Sequence, residues 1–141
     1  MKNLSVYSSL KTIDKKKVHK LVNAITNELG FKLINLEINF ITADQIHQLN
    51  KKHLNHDYTT DIITFDYSDD FESLDGEIFI SVDDAKSNAK KFKVKLNEEL
   101  ARLVIHGILH LLGYDDQITS DKKTMKLMEN KLLSSFKFLL L

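Results

Sequence analysis

The sequence predicts an α+β domain: a small mixed β-sheet of about three to four strands covered by about five helices, with a buried central helix that carries a pair of histidines. Three observations carry this expectation. Segments of period two alternate along the chain with segments of period 3.6. The stretch from Leu100 to Leu112 is apolar nearly all round, as in a helix surrounded by protein. The 141 residues, 43% hydrophobic and 28% charged, suffice for one core and show no internal repeat or low-complexity linker, so a single domain over 1–141 is expected.

Near the N-terminus, "NLSVY" reads as a short strand. Residues 14–29 align Val18, Leu21, Val22, Ile25 and Leu29 on one helical stripe, and Gly30 follows as a stop. In 33–41, Leu36, Ile38 and Phe40 alternate with Glu37 and Asn39, giving a strand with one buried face. "TADQ" (42–45) has the form of a capping box and opens a short helix through Ile46 and Leu49. "DIITFDY" (61–67) is β-branched and aromatic, hence a strand. An acidic loop separates it from "GEIFIS" (76–81), an alternating strand placed next to it in a long hairpin or adjacent pairing. "SVDD" (81–84) is a second capping box, with Ala85, Ala89 and Phe92 of the following helix turned inward. Asn97 with Glu98 and Glu99 makes a helix start, because carboxylates favour the positive end of the helix dipole. Gly113 ends the apolar helix, and a last amphipathic helix with Met125, Met128, Leu132 and Phe136 in line closes the chain.

Composition narrows the chemistry. No apolar run approaches the ~20 residues that span a bilayer. "MKNLSVYSSLKTI" lacks the apolar core of a signal peptide, so the cytoplasm is the expected compartment. With no cysteine, any metal must be held by His, Asp or Glu. Twenty basic and twenty acidic side chains cancel, which does not indicate a globally basic nucleic-acid binder. The five lysines of 85–95 and the six acids of 66–77 read as a solvated helix face and a surface loop.

The stretch "LVIHGILHLLGYDDQ" (103–117) carries the chemistry. His106 and His110 are one helical turn apart, so both rings project from one face and can share a divalent metal. Gly113 lets the backbone turn back, and Asp116 follows ten residues after His106. The frame H-x-x-x-H-x-x-G-x-x-D has the ligand spacing of the metzincin proteases. A His–His–Asp set leaves one tetrahedral position for water, as catalytic zinc sites do. A single histidine on an apolar helix is more often a satisfied core residue. Two on a buried helix must each find a polar partner, and the glycine and carboxylate fall at matching offsets. The HExxH proteases place their general base directly after the first histidine, where Gly107 stands here. Peptide hydrolysis by that route is disfavoured, whereas phosphodiester hydrolysis depends mainly on positioning and charge stabilisation.

"HGILHLLGYDD" resembles the H-G-x-L-H-L-x-G-Y-D-H signature of the YbeY-type endoribonucleases. "LNKKHLNHDYTTDIITF" (49–65) is similar to that family's L-N-x-x-Y-R-x-K-D-x-x-T-D-V-L-S-F-P segment, and "GEIFIS" to its G-D-I-x-I-S strand. The likeness spans about residues 36 to 134. It implies a zinc-dependent single-strand endoribonuclease of the cytoplasm, acting at the 3′ end of small-subunit ribosomal RNA and in ribosome quality control. It also implies partnership with the ribosome and with assembly factors such as the GTPase Era. His106, His110 and Asp116 would hold one divalent ion per chain, and hydroxide formed there would attack the phosphodiester.

Two departures from the family pattern stand out. Its third ligand is normally His; Asp116 brings a negative charge that makes the bound water less acidic. Two His and one carboxylate also suit Fe(II) or Mn(II). The family arginine of the substrate groove aligns with Leu54, which cannot grip phosphate; Lys51, Lys52, His53 and His56 are the nearby basic candidates. The general base is not assigned. A metzincin-like metalloprotease and a non-enzymatic ribosome-assembly factor with a structural metal are the alternative readings. Asp116→Ala is expected to lose the metal while remaining folded, read as metal content of the purified protein. Full occupancy would move the third ligand to Asp115.

Overall fold

Period-two segments become strands and period-3.6 segments become helices. The computed structural model describes residues 3–8, 10–11, 13–54, 60–114 and 119–140. In chain order they form β1 (Leu4–Ser8), α1 (Lys15–Leu29), β2 (Lys32–Ile41), α2 (Ala43–Leu54), β3 (Ile62–Asp66), β4 (Ser73–Ser81), α3 (Val82–Phe92), α4 (Leu96–Leu111), α5 (Thr119–Phe136) and a short 3-10 turn, Lys137–Leu139. The four strands make one mixed sheet in the order β1-β2-β4-β3. β1–β2 and β2–β4 are parallel, and β3–β4 is antiparallel. The α+β class, the mixed sheet and the five helices are those the sequence predicts.

Helix ends follow local chemistry. Asp14 caps α1 by accepting from the amides of Lys16 and Lys17, and Gly30 ends it at φ 72°. At α2 the capping box is reciprocal: the Gln45 amide donates to Thr42 Oγ1 at 3.1 Å and the Thr42 amide to Gln45 Oε1 at 3.0 Å. The second box is only half made. Ser81 Oγ accepts from the Asp84 amide at 3.2 Å, but the Ser81 amide is already bonded to the Asp61 carbonyl at 2.9 Å. The start of α4 also departs from expectation. Lys95 occupies the cap position without a side-chain bond, and Asn97 lies inside the first turn with Glu98 and Glu99. Phe92 is 53% exposed rather than inward, because it is the last residue of α3 and the chain leaves the core there through Lys93 at φ 57°.

The core lies between the sheet and α4. Leu36, Ile38 and Phe40 of β2 and Leu74, Ile78 and Ile80 of β4 are at most 1% exposed. They share one cluster with Leu100, Leu103, Val104, Ile108 and Leu111 of α4. Burying each such side chain is worth roughly 1.5–3 kcal/mol. Two glycines set how closely the layers approach. A Cβ at Gly107 would lie 2.9 Å from Ile78 Cδ1 and 3.1 Å from Ile62 Cδ1. A Cβ at Gly76 would run into the carbonyl oxygen of Phe65 on β3 and lie 3.1 Å from Leu111 Cδ2.

The other face of the sheet carries Glu37, Asn39, Phe65, Glu77 and Phe79 by strand alternation. α2 covers part of it, with Ile46 and Asn50 buried. Glu37 and Glu77 are register partners on adjacent strands. Burial and then the Glu77 charge push the Glu37 carboxyl above its ordinary range. Among the described residues, no helix is long and apolar enough to cross a membrane.

Gly107→Ala is expected to cost up to about 2 kcal/mol, the overpacking penalty being offset by alanine's better helix propensity. Gly76→Ala should cost more, since its clash is with backbone; urea midpoints of the two variants check the order. Because the folded pKa of Glu37 is raised, its ionised form opposes folding above that pKa, and the cost vanishes as pH falls below the unfolded carboxylate range. Glu37→Gln should therefore raise the thermal midpoint at neutral pH and lose that advantage in acid.

Candidate active site

Along α4 one stripe breaks the apolar surround. Arg102, His106 and His110 follow one another at i, i+4 spacing and so share a face. His106 is 23% exposed, and His110 is fully on the exposed side. The helix is buried as the sequence implies, but its histidine pair opens past the edge strand β3 into a cleft. That cleft, about 270 Å³, is lined among the described residues by Thr60, Asp61, Ile62, Thr64, His106 and His110. Strand alternation explains its near wall, since Ile62 and Thr64 turn toward α4 while Ile63 and Phe65 turn away. Two larger depressions, around Gly113 and Asp121 and around Phe31 and Phe71, carry no histidine among their described linings.

Each histidine has its Nδ1 engaged. His110 Nδ1 lies 3.4 Å from Thr64 Oγ1, a long contact. His106 Nδ1 lies 2.6 Å from Glu129 Oε1 on α5, a short contact at the close end of imidazole–carboxylate bonds. Glu129 is only 2% exposed. Its Oε2 accepts from Lys126 Nζ at 3.1 Å and faces an Arg102 guanidinium nitrogen at 3.5 Å. Burial works against the Glu129 charge, but hydrogen bonds from His106 and Lys126 and the Arg102 charge bring its carboxyl below the ordinary range. Arg102 also grips buried Glu99 with two nitrogens at 2.8 and 2.6 Å. That hydrogen bond, against the pull of burial, holds the guanidinium firmly protonated. Asn88 Nδ2 then bridges Glu99 Oε2 and Asp61 Oδ2, at 3.1 Å each.

Of the residues singled out in the sequence, the fold brings His106 and His110 together. Asp116 and its neighbour Asp115 lie outside the described residues, as does His56. The chain does reverse directly before them. Gly113 takes φ 95°, its amide donates to His110 O at 3.1 Å, and the Tyr114 amide donates to Leu109 O at 3.1 Å. These two bonds are the Schellman closure of a helix. Among the described residues no group of three His, Cys, Asp or Glu completes a metal site. The two imidazoles share one face of α4 and their Nδ1 atoms are turned to Glu129 and Thr64, a donor pair that would suit a divalent ion through Nε2. Lys52 and His53 are exposed at the end of α2. His53 meets Phe65 edge-on at 6.2 Å, on the sheet face away from α4, and neither residue lines the cleft among the described residues. Lys86, Lys90, Lys91, Lys93 and Lys95 are all exposed, as the sequence implied. Glu129, Arg102, Glu99 and Asp61 were not anticipated. Arg102 could have been found from its place one turn before His106. Glu129 could have been found as the single charge inside the stripe of Met125, Met128 and Leu132.

Comparison with known proteins bears on the family and the fold. The family model described as Endoribonuclease YbeY matches residues 3–137. An Endoribonuclease YbeY of Parabacteroides distasonis is 39% identical over 125 residues, covering 89% of this chain and 87% of that protein. One from Chlorobaculum tepidum is 37% identical, covering 92% of this chain and 95% of that protein. The solution structure of TM1509 from Thermotoga maritima superposes with a TM-score of 0.69 at 26% identity, covering 94% of this chain and 88% of that one. The chain belongs to the endoribonuclease YbeY family.

Proposed function

We propose that the chain is a metal-dependent endoribonuclease that cleaves single-stranded RNA in the cytoplasm. Its proposed work is maturation of the 3′ end of small-subunit ribosomal RNA and ribosome quality control, with residues 1–141 as one catalytic domain. Ribosomal particles and assembly factors such as the GTPase Era are its proposed partners. The observation that carries this reading is a cleft with two imidazoles facing Asp61 and Thr64, in a member of an endoribonuclease family.

His106 and His110, each through Nε2, together with Asp116, would hold one divalent ion. Zinc is the first candidate, with Fe(II) or Mn(II) as the alternatives for this donor set. Bound there, such an ion supplies Lewis acidity toward a phosphoryl oxygen and lowers the pKa of a water. The remaining work falls to the chain's own side chains. Thr60 and Thr64 offer hydroxyls, and Asp61 a carboxylate oriented by Asn88 at 3.1 Å, along the wall opposite the histidines. These groups can orient water and pair with a ribose 2′-hydroxyl, the group that distinguishes RNA from DNA. The Asp61 carboxylate repels phosphate, so the RNA backbone must be met by cations outside this wall. Lys52, His53 and His56, with Lys51, are proposed for that role. Peptide chemistry has no comparable support. A protease-like glutamate at 107 has no room, because the position lies against Ile78 and Ile62.

The test uses purified protein and a single-stranded RNA carrying the 3′ end of small-subunit ribosomal RNA. Cleavage should stop on chelation, return with zinc, and fall at least about 10²-fold in His106→Ala together with loss of metal. Cleavage indifferent to chelation and to His106→Ala would overturn the metal role. Metal and particle binding without cleavage would favour the assembly factor, and cleavage of casein but not RNA would favour the protease.

A further inference from the structure

We propose that Glu129 is a positioning residue for His106: its carboxylate fixes the imidazole ring and its Nδ1–H tautomer, so that Nε2 is presented to the cleft. The proposal rests on reading His106 as a metal ligand, and goes beyond it to a residue on another helix.

Three features of the geometry support it. First, the shortest contact Glu129 makes is to His106, at 2.6 Å, against 3.1 Å to Lys126 and 3.5 Å to Arg102. If Glu129 served only to neutralise Arg102, that order would be reversed. Arg102 is in any case already held by both oxygens of Glu99, at 2.8 and 2.6 Å. Second, an ionised carboxylate only accepts hydrogen bonds, so the Nδ1 of His106 must donate, and the proton of a neutral ring is then on Nδ1 rather than Nε2. A metal takes the unprotonated nitrogen. Third, Glu129 cannot readily move. It is 2% exposed, and two cations hold its other oxygen.

The chain of bonds behind Glu129 explains why the ring stays in register with the opposite wall. Arg102 ties Glu129 to Glu99, and Asn88 ties Glu99 to Asp61, at 3.1 Å on each side. Asp61 and His106 line the same cleft. One buried network thus connects its two walls.

The test measures His106 in the metal-free full chain by two-bond nitrogen–proton correlation at about pH 8.5, where an ordinary imidazole is neutral. Zinc affinity is measured in parallel by competition with a chromophoric chelator. Wild type should show His106 as the Nδ1–H tautomer. Glu129→Gln should give a mixture and weaken zinc about 10–100-fold, the usual loss when a carboxylate behind a metal-binding histidine is removed. Glu129→Asp, which keeps the charge but shortens the reach, should fall between the two and serves if the glutamine variant fails to fold. Glu98→Gln, which removes a surface pair with Lys137 at 3.0 Å, should change neither readout. The proposal is overturned if wild-type His106 is the Nε2–H tautomer, or if folded Glu129 variants keep both the tautomer and the zinc affinity. Should wild type bind no zinc, the ligand reading fails, while the tautomer comparison still decides the role of Glu129.

Discussion

The close approach of α4 to the sheet at Gly107 is the constraint on which the site depends. With no side chain at 107, the helix backbone settles against Ile78 and Ile62. A residue one position before and one three positions after the contact then project past the β3 edge; these are His106 and His110. Gly76 does the same from the sheet side, where the Phe65 carbonyl and Leu111 crowd it. The cleft is in this sense a by-product of tight packing. Its walls are β3 and the polar stripe of α4, held at a separation that larger residues at 76 and 107 would alter. Interiors packed at this density pass such changes on, because they cannot absorb them locally.

Against that apolar contact stands a concentration of buried charge. Glu99 and Glu129 are almost wholly buried, and Arg102 lies between them. Such groups are poor sources of stability, since desolvation offsets most of the Coulomb attraction. Lys137 and Glu98, on the surface, contribute about 0–1 kcal/mol at most, by the usual measure of exposed pairs. What the buried group does supply is direction. Bidentate bonds fix the Arg102 plane, and the carboxylates next to it have few other orientations open to them.

Much of this was legible in the residues themselves. Alternation at Leu36, Ile38 and Phe40, the stop at Gly30, the capping box at Thr42–Gln45 and the histidine spacing each report a local rule, and the fold keeps them. What escaped is what depends on partners far along the chain. Phe92 looked inward by helical period, but the helix ends under it. Asn97 looked like a cap, but the chain enters α4 at Lys95 instead. His110 looked buried because its neighbours are apolar, but the cleft beside β3 solvates it. Glu129 carried only a faint mark, one acid in an apolar stripe, since its partner belongs to a different helix.

The separation of those partners along the sequence has a consequence for how the protein matures. The histidine pair is local, one helical turn, and would exist as soon as α4 is helical. Its orienting contacts are not: Thr64 precedes His110 by 46 residues, and Glu129 follows His106 by 23. Contacts of such span form late, after the chain has already closed large loops. A nascent or partly folded chain can therefore display two imidazoles without the means to aim them. The cleft is complete only when β3, α4 and α5 have all docked, so its geometry is a property of the finished fold and not of the helix alone.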